Sequence, residues 1–158
     1  MSSARPTAEL HSVPRISIET LTAYFNALYL VDRERTTPIE LRVGRQSGPL
    51  CELHALYRVD ESVFVSACNP FGRQQDSEEN IKATQELHAW LQEQAFASIT
   101  GRGVDEAGAW PAEESYLVLG ADAALGRVLC VRFGQNAVLH SGAEGIPTLL
   151  LHPDAVLC

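Results

Sequence analysis

Six residues in this chain have side chains and positions suited to holding a polar molecule: Asn69, Arg102, Glu113, Ser115, Gln135 and Asn136. Asn69 comes first because it closes an apolar run, Val63-Phe64-Val65-Ser66-Ala67-Cys68, at the pair Asn69-Pro70. In open α/β sheets, ligands bind outside the carboxyl ends of strands, where a following helix turns its free N–H groups and positive dipole end outward. An asparagine amide there is both donor and acceptor. It can orient a polar ligand over the helix that begins near Ser77, with Arg73 between them to meet a negative group. Turn chemistry alone also accounts for the pair, since asparagine satisfies its neighbouring backbone and proline cannot continue a ladder. A glycine-rich phosphate loop is not supported, because Gly72 stands alone here.

Arg102 lies between Gly101 and Gly103 at the start of a segment, Gly101 to Glu114, that reads as a long functional loop. Its planar guanidinium can grip a carboxylate or phosphate while Glu113 accepts a hydrogen bond or a proton. An internal loop ion pair explains the same residues at little energetic consequence. Strand alternation puts Glu113 and Ser115 on one face and Glu114 and Tyr116 on the other. Gln135 and Asn136 follow a helix stop at Gly134; Asn136 relieves turn strain, whereas glutamine is not a turn former. Trp110 beside Pro111 is a loop anchor or a stacking face. His54 and His88 lack a second ligand at metal spacing, and Ser66 and Ser115 lack a nucleophile elbow. Cys68 reads as a small buried hydrophobe before it reads as a nucleophile.

The elements that must position these residues follow from periodicity. Ser17 caps a helix whose apolar stripe is Ile18, Leu21, Phe25 and Leu28, with Ile16 and Leu21 spaced as a hydrophobic staple. Residues 38–44 alternate as a half-buried strand, and Leu50 to Tyr57 fit a short helix. Ser62 to Cys68 is apolar enough to be buried on both faces, in the middle of a sheet. A helix from Ser77 to about Gln94 turns Ile81, Leu87, Trp90 and Leu91 inward, and Glu78 and Glu79 complement its dipole. Strands are expected over 96–100, 115–119, 137–140 and 148–151. Asp122 caps a helix carrying Leu125, Val128, Leu129 and Phe133, which stops at Gly134. The order implies an α+β fold, a mixed β-sheet with about four helices packed on it, in a single domain over 16–158 after a flexible lead-in over 1–15.

Bulk composition narrows the function classes. With 158 residues, 46% hydrophobic and 20% charged, the chain suits one folded domain. Twenty acidic residues against 12 basic ones give a net charge of −8, with no basic stripe, which argues against nucleic acid as a partner. No run approaches a membrane span and the N-terminus lacks a signal-peptide order, so a cytoplasmic protein without a membrane partner is expected. The four cysteines, Cys51, Cys68, Cys130 and Cys158, form no close pair and read as reduced thiols; no metal and no cofactor is implied.

Three segments together carry a family resemblance: Ser66-Ala67-Cys68-Asn69-Pro70, Trp110 through Glu113-Glu114-Ser115-Tyr116-Leu117-Val118, and Phe133-Gly134-Gln135-Asn136-Ala137. In their order and spacing the chain, from about Tyr24 to His140, resembles bacterial domain-of-unknown-function family 3293. The resemblance implies a small bacterial cytoplasmic protein, and Asn69, Glu113, Ser115, Gln135 and Asn136 match the family pattern. The family favours an aromatic residue where this chain has Cys68. The expected function is binding of a small polar or anionic ligand in a cleft built from Asn69, Arg102, Glu113 and Gln135. Two alternatives stand beside it. One is an interaction module, self-associating into a homo-oligomer or docking a protein partner through an apolar patch near Trp110; the other is a small enzyme with a Glu113 base.

Overall fold

Ser17 accepts a hydrogen bond from the Thr20 N–H and starts helix α1 (Ile18–Asn26), as the cap pattern requires. The structure, a computed structural model, describes residues 13–108 and 110–158. The lead-in expected over 1–15 lies outside the described residues as far as residue 12. Residues 13–15 already belong to the fold, since the Pro14 carbonyl accepts from the Val156 N–H at 2.9 Å.

Short strands β1 (Arg15–Ile16) and β9 (Val156–Leu157) form a separate parallel pair. The main sheet has seven strands: β2 (Leu28–Val31), β3 (Ile39–Leu41), β4 (Ser62–Ser66), β5 (Ser98–Val104), β6 (Glu113–Leu119), β7 (Ala137–Ser141) and β8 (Pro147–Leu151). Their spatial order is β3-β2-β5-β6-β4-β7-β8, and every neighbouring pair is antiparallel. Helices α2 (Gly48–Leu56), α3 (Ser77–Glu93) and α4 (Ala123–Phe133) join α1, so the domain is α+β with four helices among the described residues.

The sheet is buried on both faces where its strands are most apolar. Val63, Val65, Ala67 and Val118 pack with Leu87 and Leu91 of α3 and Leu129 and Cys130 of α4. On the other face Phe64, Leu117, Leu119 and Leu139 pack with Leu50 of α2 and with Val31, Ile39 and Leu41. Each fully buried aliphatic side chain contributes about 1.5–3 kcal/mol, so these two layers dominate the stability. All four cysteines are free thiols, and burial pushes the Cys130 thiol up to about 12.

The expectations for three helices and one loop need correction. The first helix ends at Asn26, and Leu28 is the first residue of β2 rather than the last of the helical stripe. That stripe is also inverted: Ile18 and Phe25 face solvent, and the helix turns Thr20, Ala23, Tyr24 and Ala27 toward the sheet. Helix α3 is capped by Asp76, which accepts from the Glu79 N–H at 2.8 Å, and Ile81 is exposed while Thr84 takes the inward place. In α4, Val128 likewise points out. Finally, the segment from Gly101 is not loop at its start, because β5 runs on to Val104. Its glycines serve strand packing: a β-carbon at Gly101 would meet the Leu30 carbonyl of β2, and Tyr29 lies over Gly103 at 3.6 Å.

Candidate functional site

The C-terminal end of β4 lies between the N-terminal ends of its two antiparallel neighbours. Ser66 pairs with Ser115 of β6, and Phe64 pairs with Leu139 of β7. Residues that follow β4, begin β6 and precede β7 therefore meet at one sheet end. This juxtaposition brings Asn69, Glu113, Ser115, Gln135 and Asn136 to the wall of one cavity of about 400 Å³. The cavity lies between α1 and the sheet face that carries Phe64, Ser66 and Leu139.

Asn69 is the hub. Its Nδ2 donates to Glu113 Oε2 at 2.6 Å, and its Oδ1 accepts from the Gln75 N–H and from Asn80 Nδ2, each at 3.0 Å. Its own N–H donates to Asn80 Oδ1 at 2.9 Å. The backbone stands in the left-handed region, φ 48 and ψ 61, which asparagine tolerates better than most residues. Phe71, in the single 3-10 turn Pro70–Gly72, is also left-handed at φ 57, an uncommon place for a bulky residue. The turn is braced by the Phe71 N–H, which donates to the Gly134 carbonyl at 2.7 Å. Gly134 closes α4 in the left-handed conformation with Pro70 and Phe71 packed where a β-carbon would sit. Two turns distant in sequence thus lock against each other and aim Gln135 and Asn136 at the cavity.

Gln135 Nε2 donates to the carbonyls of Cys68 at 3.1 Å and Phe133 at 3.2 Å. Asn136 Nδ2 donates to the Tyr24 hydroxyl at 3.0 Å, while its Oδ1 is buried with no hydrogen-bond partner. Ser115 Oγ donates to the Glu113 carbonyl at 3.1 Å. The Tyr29 hydroxyl donates to the Tyr24 carbonyl at 2.8 Å, tying β2 to α1. Tyr24 and Tyr29 both have raised pKa values, chiefly through burial, and the Glu113 charge adds to both shifts.

Glu113 is half-buried, and its pKa is raised by burial against a smaller opposing effect of the Asn69 hydrogen bond. The folded chain holds the proton at a pH where the unfolded chain has lost it. The associated stability is complete below the ordinary carboxylate range and is lost as pH rises through the folded pKa. Once ionised, the side chain opposes folding. Glu113→Gln, whose amide oxygen still accepts from Asn69, is expected to raise stability at pH 7 by on the order of 1 kcal/mol. The gain should vanish toward pH 4; urea titrations across pH measure it, and an equal gain at both ends would remove burial as its cause.

Arg102 is not at the cavity. It alternates away from Gly103 along β5, and its Nη1 pairs with Asp32 Oδ1 at 3.3 Å on the surface. The ion-pair explanation therefore holds for it, and the expected convergence of four residues is met by Asn69, Glu113 and Gln135 without it. Arg73 is exposed and absent from the lining, and Asp76 closes the helix end that a ligand was expected to face. Trp110 is half-buried and lines the cavity rather than an apolar surface patch. Cys68 is buried, with its sulfur near Thr84 Oγ1 at 3.7 Å. His54 is packed against Ser62 at 2.8 Å, and His88 stacks on Tyr116 with ring centres 5.1 Å apart.

Sequence reasoning missed the wall supplied by β1, α1 and β2, namely Arg15, Glu19, Thr20, Tyr24 and Tyr29. The signal was present in α1: Thr20, Ala23, Tyr24 and Ala27 share one face, a small and polar stripe opposite the apolar one. Among the described residues no group of three metal-ligating side chains occurs, and no helix is long and apolar enough to cross a membrane.

The fold and the cavity define an α+β domain with a pocket of mixed polar, apolar and aromatic walls at one sheet end. Residues 65–138 match the family described as protein of unknown function, DUF3293, the family that its motifs resemble. The matched stretch contains Asn69, Glu113, Ser115, Gln135 and Asn136. The chain matches no curated protein and no solved structure.

Proposed function

We propose that the protein binds a small polar ligand in the cavity beneath α1. One observation carries this reading: five polar side chains from three separate parts of the chain, Asn69, Glu113, Ser115, Gln135 and Asn136, line a cavity of about 400 Å³ with aromatic walls. Ligand pockets typically combine that range of volume with a few convergent polar groups. An anionic ligand loses its main support, because Arg102 is engaged elsewhere and Arg15, the one lining cation among the described residues, is exposed. A carboxylate placed as Glu113 is can also take a proton from what binds, so a base role falls within the same reading. The bacterial cytoplasmic setting proposed with it rests on the family resemblance.

A thermal-shift screen of metabolites tests the reading, since a ligand at a hundred times its Kd stabilises the native state by about 2.7 kcal/mol. Hits should lose their shift in Trp110→Ala, and a screen without any such hit counts against the cavity as a binding site. The outward side chains of Ile18 and Phe25 favour a second reading, self-association through α1. Sedimentation over a wide concentration range decides that one; a monomer throughout eliminates it.

A further inference from the structure

The hydrogen bonds at the cavity leave a pattern of unused acceptors. Gln135 is only 8% exposed, and both partners of its Nε2 are backbone carbonyls, which only accept. Its amide orientation is thereby fixed by chemistry, with the nitrogen on the carbonyls and the oxygen turned away. Oε1 receives no hydrogen bond from the described protein. Glu113 shows the same asymmetry: Oε2 accepts from Asn69, and Oε1 accepts nothing from the described protein. The two side chains are anchored to neighbouring residues, Gln135 to the Cys68 carbonyl and Glu113 to the Asn69 amide, so both acceptors belong to one stretch of wall.

Several donors of the wall are already engaged, while the Tyr24 hydroxyl accepts from Asn136. Asn69, Ser115, Tyr29 and Asn136 each direct a donor at a protein acceptor. Among the described residues, the ionisable carboxyl and guanidinium groups of the lining are Glu19 and Glu113 against Arg15, so the described wall is acidic on balance. Tyr24, Phe71 and Trp110 add flat aromatic surface. A bound anion would meet the Glu113 carboxylate without a buried cation to offset it. A planar N–H cation meets every feature: it donates in parallel to two acceptors and lays its face on an aromatic ring.

We infer that the ligand of this cavity carries an amidinium or guanidinium group that donates to Glu113 Oε1 and Gln135 Oε1. The inference rests on the reading that the cavity binds a small ligand, and it names the chemical class. Benzamidine, benzamide and benzoate, near in shape and differing in charge, are the probes. Benzamidine is expected to raise the unfolding temperature and to shift the side-chain amide resonances of Gln135 and Asn69. It should bind about tenfold or more tighter than benzamide, as expected when a hydrogen bond becomes charged, and benzoate should not bind. Glu113→Gln should lower benzamidine affinity to the level of benzamide and leave benzamide within about twofold. Because that variant keeps the Asn69 contact, its amide spectrum checks that the fold is intact. Benzoate or benzamide binding as well as benzamidine, with shifts at Gln135, overturns the cation while the ligand cavity stands. An unchanged benzamidine affinity in Glu113→Gln overturns it too, as does the absence of binding by all three at millimolar concentration. Failure of the broad metabolite screen, by contrast, removes the cavity reading itself.

Discussion

Asn69→Ala is expected to destabilise the protein by on the order of 3 kcal/mol, a fall of roughly 6–12 °C in unfolding temperature for a domain of this size. The substitution removes the donor on Glu113 and the acceptor of both the Gln75 N–H and Asn80 Nδ2. Those partners are half-buried, so the cost is that of leaving polar groups unmatched rather than the small net value of a surface hydrogen bond. A second contribution is conformational, because alanine keeps the β-carbon at φ 48 but lacks the short polar side chain that makes the left-handed region tolerable for asparagine. Asn69→Gly separates the two: it also loses the side-chain bonds but recovers about 1 kcal/mol through the backbone. Urea unfolding of both variants gives the comparison. A cost under about 1 kcal/mol for Asn69→Ala would mean that the network does not hold the β4 end in place.

The sequence was legible where local chemistry decides structure. Ser17 and Asp122 cap helices as their positions imply, Gly134 stops α4 in the left-handed conformation, and Ser62–Ser66 is buried almost throughout. Five of the six candidate polar residues also line one cavity, because they stand at or near element ends that meet there. What could not be read was non-local. Only the placement of β4 between β6 and β7 tells that Asn69, Glu113 and Gln135 are neighbours, and no property of any one segment encodes it. The inverted α1 failed for a related reason. Its apolar stripe would face the core in an ordinary packed helix, but here the helix covers a polar cavity and presents Thr20 and Tyr24 to it. Arg102 was misjudged because glycines on both sides read as loop, when each makes room for β2.

That last point yields a large and specific effect. Gly101→Ala is expected to cost about 3 kcal/mol or more, because the new β-carbon would fall inside the van der Waals shell of the Leu30 carbonyl oxygen and 3.0 Å from Phe64 Cε2. The obstacle is backbone rather than the end of a flexible side chain, so relief requires β2 to move off β5 along the register that joins Val31 to Gly101 and Leu30 to Arg102. Gly103→Ala, two residues on and on the same face, meets only the Tyr29 ring at 3.6 Å, an ordinary contact, and should cost less than about 1 kcal/mol. Thermal unfolding of the pair tests the contrast, and equal tolerance at both sites would contradict the close approach of β2 to Gly101. The consequence reaches the site. β2 carries Tyr29, whose hydroxyl holds α1 over the cavity, so a sheet spread at Gly101 should loosen that wall. Ligand affinity in Gly101→Ala should then fall even though the substituted residue does not line the cavity, while Gly103→Ala, which does line it, keeps the strand pairing that positions the tyrosine.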